Sequence, residues 1–328
     1  SITFAGVAAF AARTLLLVGI SRLLTKNNNA QGTTQDTGGR VQLSPATNNV
    51  LPVVYGSAFV SPVITDAKIS SDQKTMWYVC VFSEVTDTGG FTFGDIYYDN
   101  KKVTLSGANV TTLTTNTTPA ETDTKINGKL YMYLFPNGSS SGINTGGQTA
   151  IQIMSDSAIP AGQRWNGPIY TTGGESADMT NAAFMIVKII YDTTAGTTRL
   201  GTITAQLQNS LKSPGSVFLD YMNNSRYGCA LPLDSIDTAS LASLDAYSQE
   251  LITFHDVHGA PTTQERYQIN GPISTGQNCM TNLQALADAC DSWVAYDERS
   301  AKWKVVINRS YLDNGFTVGS LVIGKAYT

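Results

Sequence analysis

The sequence predicts an α+β protein that is predominantly β: a β-barrel or sandwich domain, a small helical segment and a compact α+β domain, preceded by an apolar N-terminal helix. Three observations predict this order. Between about residues 50 and 211, short aromatic and β-branched runs alternate with Gly, Asn and Ser turn signals, and no helix-period pattern intervenes. From Ser213 the apolar residues recur at three- and four-residue steps instead. Only 14% of residues are charged, against about 25% in an average globular protein, so Thr, Asn, Ser and Gly must cover the surface, a composition that favours strands and turns. A length of 328 residues allows about two or three domains.

Residues 1–25 are expected to form the helix, from the apolar run Ile2 to Leu24. That run is nearly long enough to span a bilayer, but Arg13 interrupts it and no basic segment precedes it as in a secretory signal. The open readings are a helix buried on its own chain, one packed on a neighbouring subunit or internal partner, and a membrane-active segment. Residues 26–48 are too polar to bury a core and read as a linker or arm. The β domain covers 49–212. Its expected strands are Val50–Gly56, Met76–Phe82, Phe91–Phe93, Asp95–Tyr98, Lys102–Leu105, Lys129–Phe135, Ala150–Met154, Ala183–Tyr191 and Thr202–Leu207. Asp99-Asn100 is a tight turn, and a loop-rich insertion occupies about 111–180.

A helical connector spans 213–260. Ser213 can cap a first helix with Pro214 at its opening position, Gly228 ends it, and Asp237 caps a second helix carrying Leu241, Leu244, Ala246 and Tyr247. Residues 261–310 form the α+β domain. It contains a strand near Arg266–Ile269, a helix marked by Met280, Leu283, Leu286, Ala287 and Cys290, and a hairpin of Ser292–Tyr296 with Lys302–Ile307. Residues 311–328 read as the start of a further β domain.

Little in the chain points to chemistry. A net charge of −4 supplies no basic field to hold a polyanion, while a weakly acidic wall suits a conduit through which DNA passes without sticking. Cys80, Cys229, Cys279 and Cys290 show no CxxC spacing and read as buried free thiols, compatible with assembly in a reducing cytoplasm. His255 and His258 flank Asp256, but no third ligand completes a metal set, so they read as polar loop residues. No GxSxG, HExxH, P-loop or dinucleotide fingerprint occurs. The expectation is that the chain has no catalytic, cofactor or metal residues and is not an enzyme.

One segment is more specific. Ser213 to Gly228 reads SPGSVFLDYMNNSRYG, and Pro214, Asp220, Asn224, Arg226, Tyr227 and Gly228 fall in the order and spacing of N-P-A-x-x-x-x-D-x-L-T-N-x-R-Y-G. This resembles the signature of phage tail-tip hub proteins, the lambda host-specificity protein J family. Val53–Gly56, Asp95–Asn100 and Asn181–Phe184 with Tyr191-Asp192 agree more weakly. Ser213 and Gly215 depart from the signature's Asn and Ala, and family members normally run hundreds of residues longer.

The resemblance implies a tail-tube-like β domain followed by a hub domain, in a homotrimer at the distal end of a virion tail. It also implies assembly in the host cytoplasm with distal tail and tube proteins, the tape-measure protein and other tail-tip subunits. Phage DNA would pass through without specific binding, and contact with the host envelope would be indirect. In the signature, Pro214 would start a helix and Gly228 would allow a left-handed stop. Arg226 would tie the helix end to a carbonyl or carboxylate, or anchor a neighbouring subunit. The rival expectation is a carbohydrate-binding adhesin module of the tail.

Overall fold

The computed structural model describes residues 50–138, 147–165 and 179–309. The expected N-terminal helix (1–25), the linker (26–48) and the further β domain (311–328) lie outside the described residues. Among the described residues the protein is mostly β, with 41% strand against 18% helix and a nearly closed barrel sheet.

In chain order the first elements are β1 (Pro52–Tyr55), β2 (Ser57–Val60), β3 (Val63–Ile69), β4 (Thr75–Glu84), β5 (Phe91–Tyr98), β6 (Lys101–Ser106), β7 (Asn109–Thr114), β8 (Thr122–Asp123) and β9 (Leu130–Phe135). Then come α1 (Ala150–Met154), β10 (Ala182–Ile190), β11 (Ile203–Asn209), α2 (Pro214–Asn223) and α3 (Thr238–Ser248). The last are β12 (Leu251–His255), β13 (Pro261–Glu265), β14 (Gly271–Ser274), α4 (Cys279–Ala289), β15 (Ser292–Asp297) and β16 (Lys302–Ile307).

These elements fall into two compact units. The first, built from 59–85 and 91–208, carries the barrel sheet in the order β3-β4-β10-β9-β7-β6-β5-β11, with β8 on the side of β7. β4 reads as an unbroken apolar run because both of its faces are buried. Trp77, Val79 and Val81 share a core with Ile153, Met154, Ile159 and Trp165. On the opposite face, Tyr78, Cys80 and Phe82 are also buried, and Phe82 meets Phe93 edge-on at 5.4 Å. The β5–β6 turn has the predicted residues and both left-handed dihedrals of a two-residue hairpin, with φ of 47° at Asp99 and 62° at Asn100.

Three expectations fail in this unit. Ala150–Met154 is a helix, because Thr149 accepts from the Gln152 N–H while the Gln152 side chain accepts from the Thr149 N–H, a reciprocal cap that closes the first turn. The stretch after residue 110, expected as loop, continues as β7 and then β8, since Thr-rich sequence pairs well on a half-buried sheet surface. Phe91–Phe93 and Asp95–Tyr98 are one strand, because Gly94 is extended through the position where its missing side chain admits Gln206.

The second unit takes residues 209–309 together with Pro52–Ala58 and Thr86–Gly90 from the first half of the sequence. β1 belongs here by pairing antiparallel with β14, Val53 opposite Ile273. A single core joins Val53, Tyr55, Val217, Phe218, Leu241, Leu244, Leu283, Leu286, Val305 and Ile307. The helical segment and the β15–β16 hairpin are stitched together directly. The Asp237 N–H donates to the Trp303 carbonyl at 2.8 Å, and the Ser240 hydroxyl accepts from the Val305 N–H at 3.2 Å.

Arg266–Ile269 is not a strand. Its N–H groups instead bond the carbonyls of Glu250, Ser248 and Lys212, and strands lie on either side of it. Ala246 and Met280, expected on buried helix faces, are exposed.

Candidate functional site

The matched signature residues gather in the second unit around one carboxylate. Pro214 opens α2 with a locked φ and no N–H to lose. Ser213 makes no side-chain cap bond. The cap comes instead from Asp245 of α3, whose Oδ1 accepts from the N–H groups of Gly215 at 2.6 Å and Ser216 at 3.2 Å, while its Oδ2 accepts from the Ser216 hydroxyl at 2.6 Å. A carboxylate at a helix N-terminus also complements the helix dipole. Gly215 permits this approach, since a Cβ there would sit 2.0 Å from the Leu241 carbonyl oxygen. The departure from Ala thus goes with unusually close backbones of α2 and α3.

One turn further, Asp220 Oδ2 accepts from the hydroxyls of Tyr55, at 2.7 Å, and Tyr227, at 2.8 Å. Burial raises the Asp220 carboxyl above the usual range; the two hydroxyl bonds oppose that rise, and the charge of Asp87 adds to it. Burial, then the Asp220 charge, drives both tyrosines far above their ordinary value, so they act as donors.

Asn224 closes the helix. Its Oδ1 accepts from the N–H groups of Arg226 and Tyr227 at 2.8 and 3.1 Å, and its Nδ2 donates to Asp87 Oδ2 at 2.9 Å. The Arg226 guanidinium lies 3.8 Å from Asp87 Oδ1 and 5.2 Å from the centre of the Tyr227 ring. Of the two expected roles for Arg226, this geometry supplies the carboxylate contact within the chain.

Gly228 differs from expectation. It is not among the described glycines with positive φ, and the left-handed residue is Ala230, at 55°. Gly228 is required by crowding instead, because a Cβ would stand 2.0 Å from the Tyr221 carbonyl oxygen. That carbonyl accepts from the Cys229 N–H at 2.8 Å, so the chain folds back tightly on the helix end.

A cavity of about 790 Å³ opens beside this knot, lined by Asp87, Ser210, Leu219, Asp220, Asn224 and Leu233 among others. Its charged wall is acidic. No group of three or more His, Cys, Asp or Glu able to hold a metal occurs among the described residues. His255 ends β12 and His258 lies in the turn after it, where Asp256 Oδ1 accepts from the N–H groups of His258 and Ala260.

Sequence reasoning missed Asp87 and Asp245, whose partners are distant in the chain, and read Tyr55 only as an apolar strand residue. It also missed Asn209 and Asn282. Asn209 Nδ2 donates to the Val54 carbonyl and the Thr86 hydroxyl, and Asn282 Nδ2 donates to the Tyr221 hydroxyl and the Ser274 carbonyl. An Asn inside an otherwise apolar helix face was the available signal for Asn282.

No family model matches the chain, and a search of curated proteins finds no match either. Among solved structures, the chain is similar to one in the "Virion of native gene transfer agent (GTA) particle", at 14% identity and a TM-score of 0.40. The similarity covers 93% of this chain and spans 64% of that one.

Proposed function

We propose that this chain is a structural virion protein, the central hub of a phage tail tip, which joins the tail tube to tip or fibre proteins and performs no catalysis. The observation that carries the reading is the Asp220 knot. Of the six residues matching the hub signature, Pro214 opens one helix, and Asp220, Asn224, Arg226, Tyr227 and Gly228 are engaged in holding that helix, its return loop and the 86–90 segment together. A wall built this way resists deformation but offers no acid and base with separated roles.

The hub is a homotrimer on this reading, with the distal tube proteins, the tape-measure protein and other tip subunits as partners. Support comes from the β12–β13 hairpin, which pairs with no other strand among the described residues and exposes Leu251, Phe254 and Val257, the last 95% exposed. A two-stranded hairpin with apolar side chains in water is marginal by itself and gains by being covered. The weak net charge lets DNA pass without retention.

Two measurements test this. Light scattering on the purified 35.0 kDa chain is expected to give three times that mass, and antibody against the chain is expected to label the far tail end of intact particles. A monomer that binds glycans on an array and labels fibres instead would replace the hub reading with that of an adhesin.

A further inference from the structure

We propose that Cys229 and Cys279 are a modification site of their own, a thiol pair that closes into a reversible intramolecular disulfide when the protein meets a small-molecule disulfide oxidant.

The four cysteines are not equivalent. Cys80 and Cys290 are buried, whereas Cys229 and Cys279 are both partly exposed. Cys279 is the first residue of α4, immediately after the Asn278 cap. Its Sγ lies 3.8 Å from the carbonyl oxygen of Gly228, the carbonyl of the peptide whose nitrogen belongs to Cys229. Burial and then the neighbouring Cys279 thiol raise the Cys229 thiol, and burial and then the two thiols raise the Tyr221 hydroxyl. Neither backbone is free to swing away. The Cys229 N–H is held by the Tyr221 carbonyl at 2.8 Å, and α4 is anchored by the Asn282 side chain on the Tyr221 hydroxyl at 2.6 Å. A disulfide requires the two Cβ atoms within about 3.5–4.5 Å; with both backbones held, side-chain rotation turns the two sulfur atoms toward each other and the bridge forms at the Cβ spacing that the fold sets.

The chemistry balances with glutathione disulfide as oxidant. The Cys279 thiolate attacks one sulfur of the oxidant, forming a mixed disulfide and releasing one glutathione thiol. The Cys229 thiolate then attacks the Cys279 sulfur, the protein S–S bond forms, and a second glutathione thiol leaves with the second proton. Two protein thiols are oxidised and one small-molecule disulfide is reduced. Burial pushes the Cys229 thiol up to about 12, so the resolving step is slow at neutral pH and accelerates as pH rises.

The bridge would tie the return loop of the signature to the start of α4, fifty residues on in the sequence. Closing a loop of that length removes unfolded-state freedom. The inference is independent of the tail-tip reading, since it concerns two thiols within one chain.

The test uses the full chain with oxidised glutathione at pH 7 and pH 8.5, digested without reduction and mapped by mass spectrometry. The expected result is one linked peptide pair containing Cys229 and Cys279, lighter by two hydrogens and formed faster at the higher pH. The thermal midpoint should rise by several degrees, reversed by dithiothreitol. Cys229→Ser and Cys279→Ser should each abolish the link, and a circular dichroism spectrum like that of the wild type would show that the variant is folded. Separate glutathione adducts on the two cysteines, retention of both thiols by folded protein, a link that lowers the thermal midpoint, or pairings scattered over all four cysteines would each overturn the proposal.

Discussion

The Tyr55 hydroxyl donates to Asp220 Oδ2 at 2.7 Å across 165 residues of sequence, and Tyr227 donates to the same oxygen from seven residues away. One carboxylate oxygen therefore fixes strand β1, helix α2 and the loop that returns along it. Local sequence brings only one of the two donors; the other arrives only when the long-range fold is complete.

Tyr55→Phe should lower unfolding stability by about 1.5–3 kcal/mol, the range for a hydrogen bond to a charged group. Removing both hydroxyls should cost more than the sum of the single changes, because the half-buried carboxylate then loses both of its hydroxyl donors. Urea denaturation of the two single variants and the double variant measures this. An additive cycle would mean that the two hydroxyls stabilise the carboxylate independently.

The pH dependence of Asp220 has a definite sign. Its folded-state pKa is raised, chiefly by burial, so between the ordinary carboxylate value and the raised one the folded chain binds more protons than the unfolded chain. The stability it contributes is fully present below the ordinary value and is lost as pH rises through the raised one. Asp72, Asp192 and Asp297 act oppositely, since they are lowered chiefly by the Ser70 hydroxyl, by Lys129 and by the Arg299 N–H respectively. Their contribution is lost as pH falls through their lowered values. They are common to wild type and Asp220→Asn, so they cancel in the difference. Urea midpoints from pH 3 to pH 7 should show the wild type losing stability relative to Asp220→Asn as pH rises.

Patterns confined to one element were legible in advance, and those resting on a partner elsewhere in the chain were not. The β4 run, the Asp99-Asn100 turn, the Asp237 cap and the β15–β16 hairpin each declare themselves within one short stretch of sequence. Ala150–Met154 reads as a strand from its apolar content, and only the Thr149 and Gln152 pair, three residues apart, reveals the helix. The six signature positions were visible as a pattern, but their chemistry depended on Tyr55, Asp87 and Asp245, which no local spacing connects to them. Gly228 shows the same limit. A glycine after a helix suggests a left-handed stop, and the actual reason, a carbonyl oxygen 2.0 Å from where its Cβ would be, belongs to the folded chain.

Glycine substitutions separate crowding from conformational freedom. Gly215→Ala and Gly228→Ala each place a methyl group 2.0 Å from a backbone oxygen, which must move. Each should destabilise by about 1–3 kcal/mol or more, as overpacking does. Gly271 has ordinary φ and nothing within 4 Å of its missing Cβ, so Gly271→Ala should be neutral or stabilising by about 0.4–1 kcal/mol. Denaturant midpoints of the three variants rank them directly, and equal losses at all three would refute the crowding argument.

The β5–β6 turn gives a prediction in the other unit. Asp99 and Asn100 both hold positive φ, a conformation that costs most side chains about 1–2 kcal/mol per residue but that Asn and Asp tolerate. Asp99 also accepts from the Thr202 N–H through its Oδ1 at 2.8 Å, and its own N–H donates to the Thr202 carbonyl at 2.8 Å, so the turn is tied to the chain just before β11. Asn100→Gly should therefore hold or slightly raise stability. Asn100→Val should cost more than about 1 kcal/mol through strain alone. Asp99→Ala loses both the tolerance and the side-chain bond and should cost about 2 kcal/mol. Lys102→Ala, which removes only the exposed 2.8 Å ion pair with Asp95, should cost little, because solvent screens such a pair. Thermal unfolding should rank the four variants, from most to least stable, Asn100→Gly, Lys102→Ala, Asn100→Val and Asp99→Ala, and an Asn100→Val variant as stable as wild type would show that the turn relaxes to another geometry.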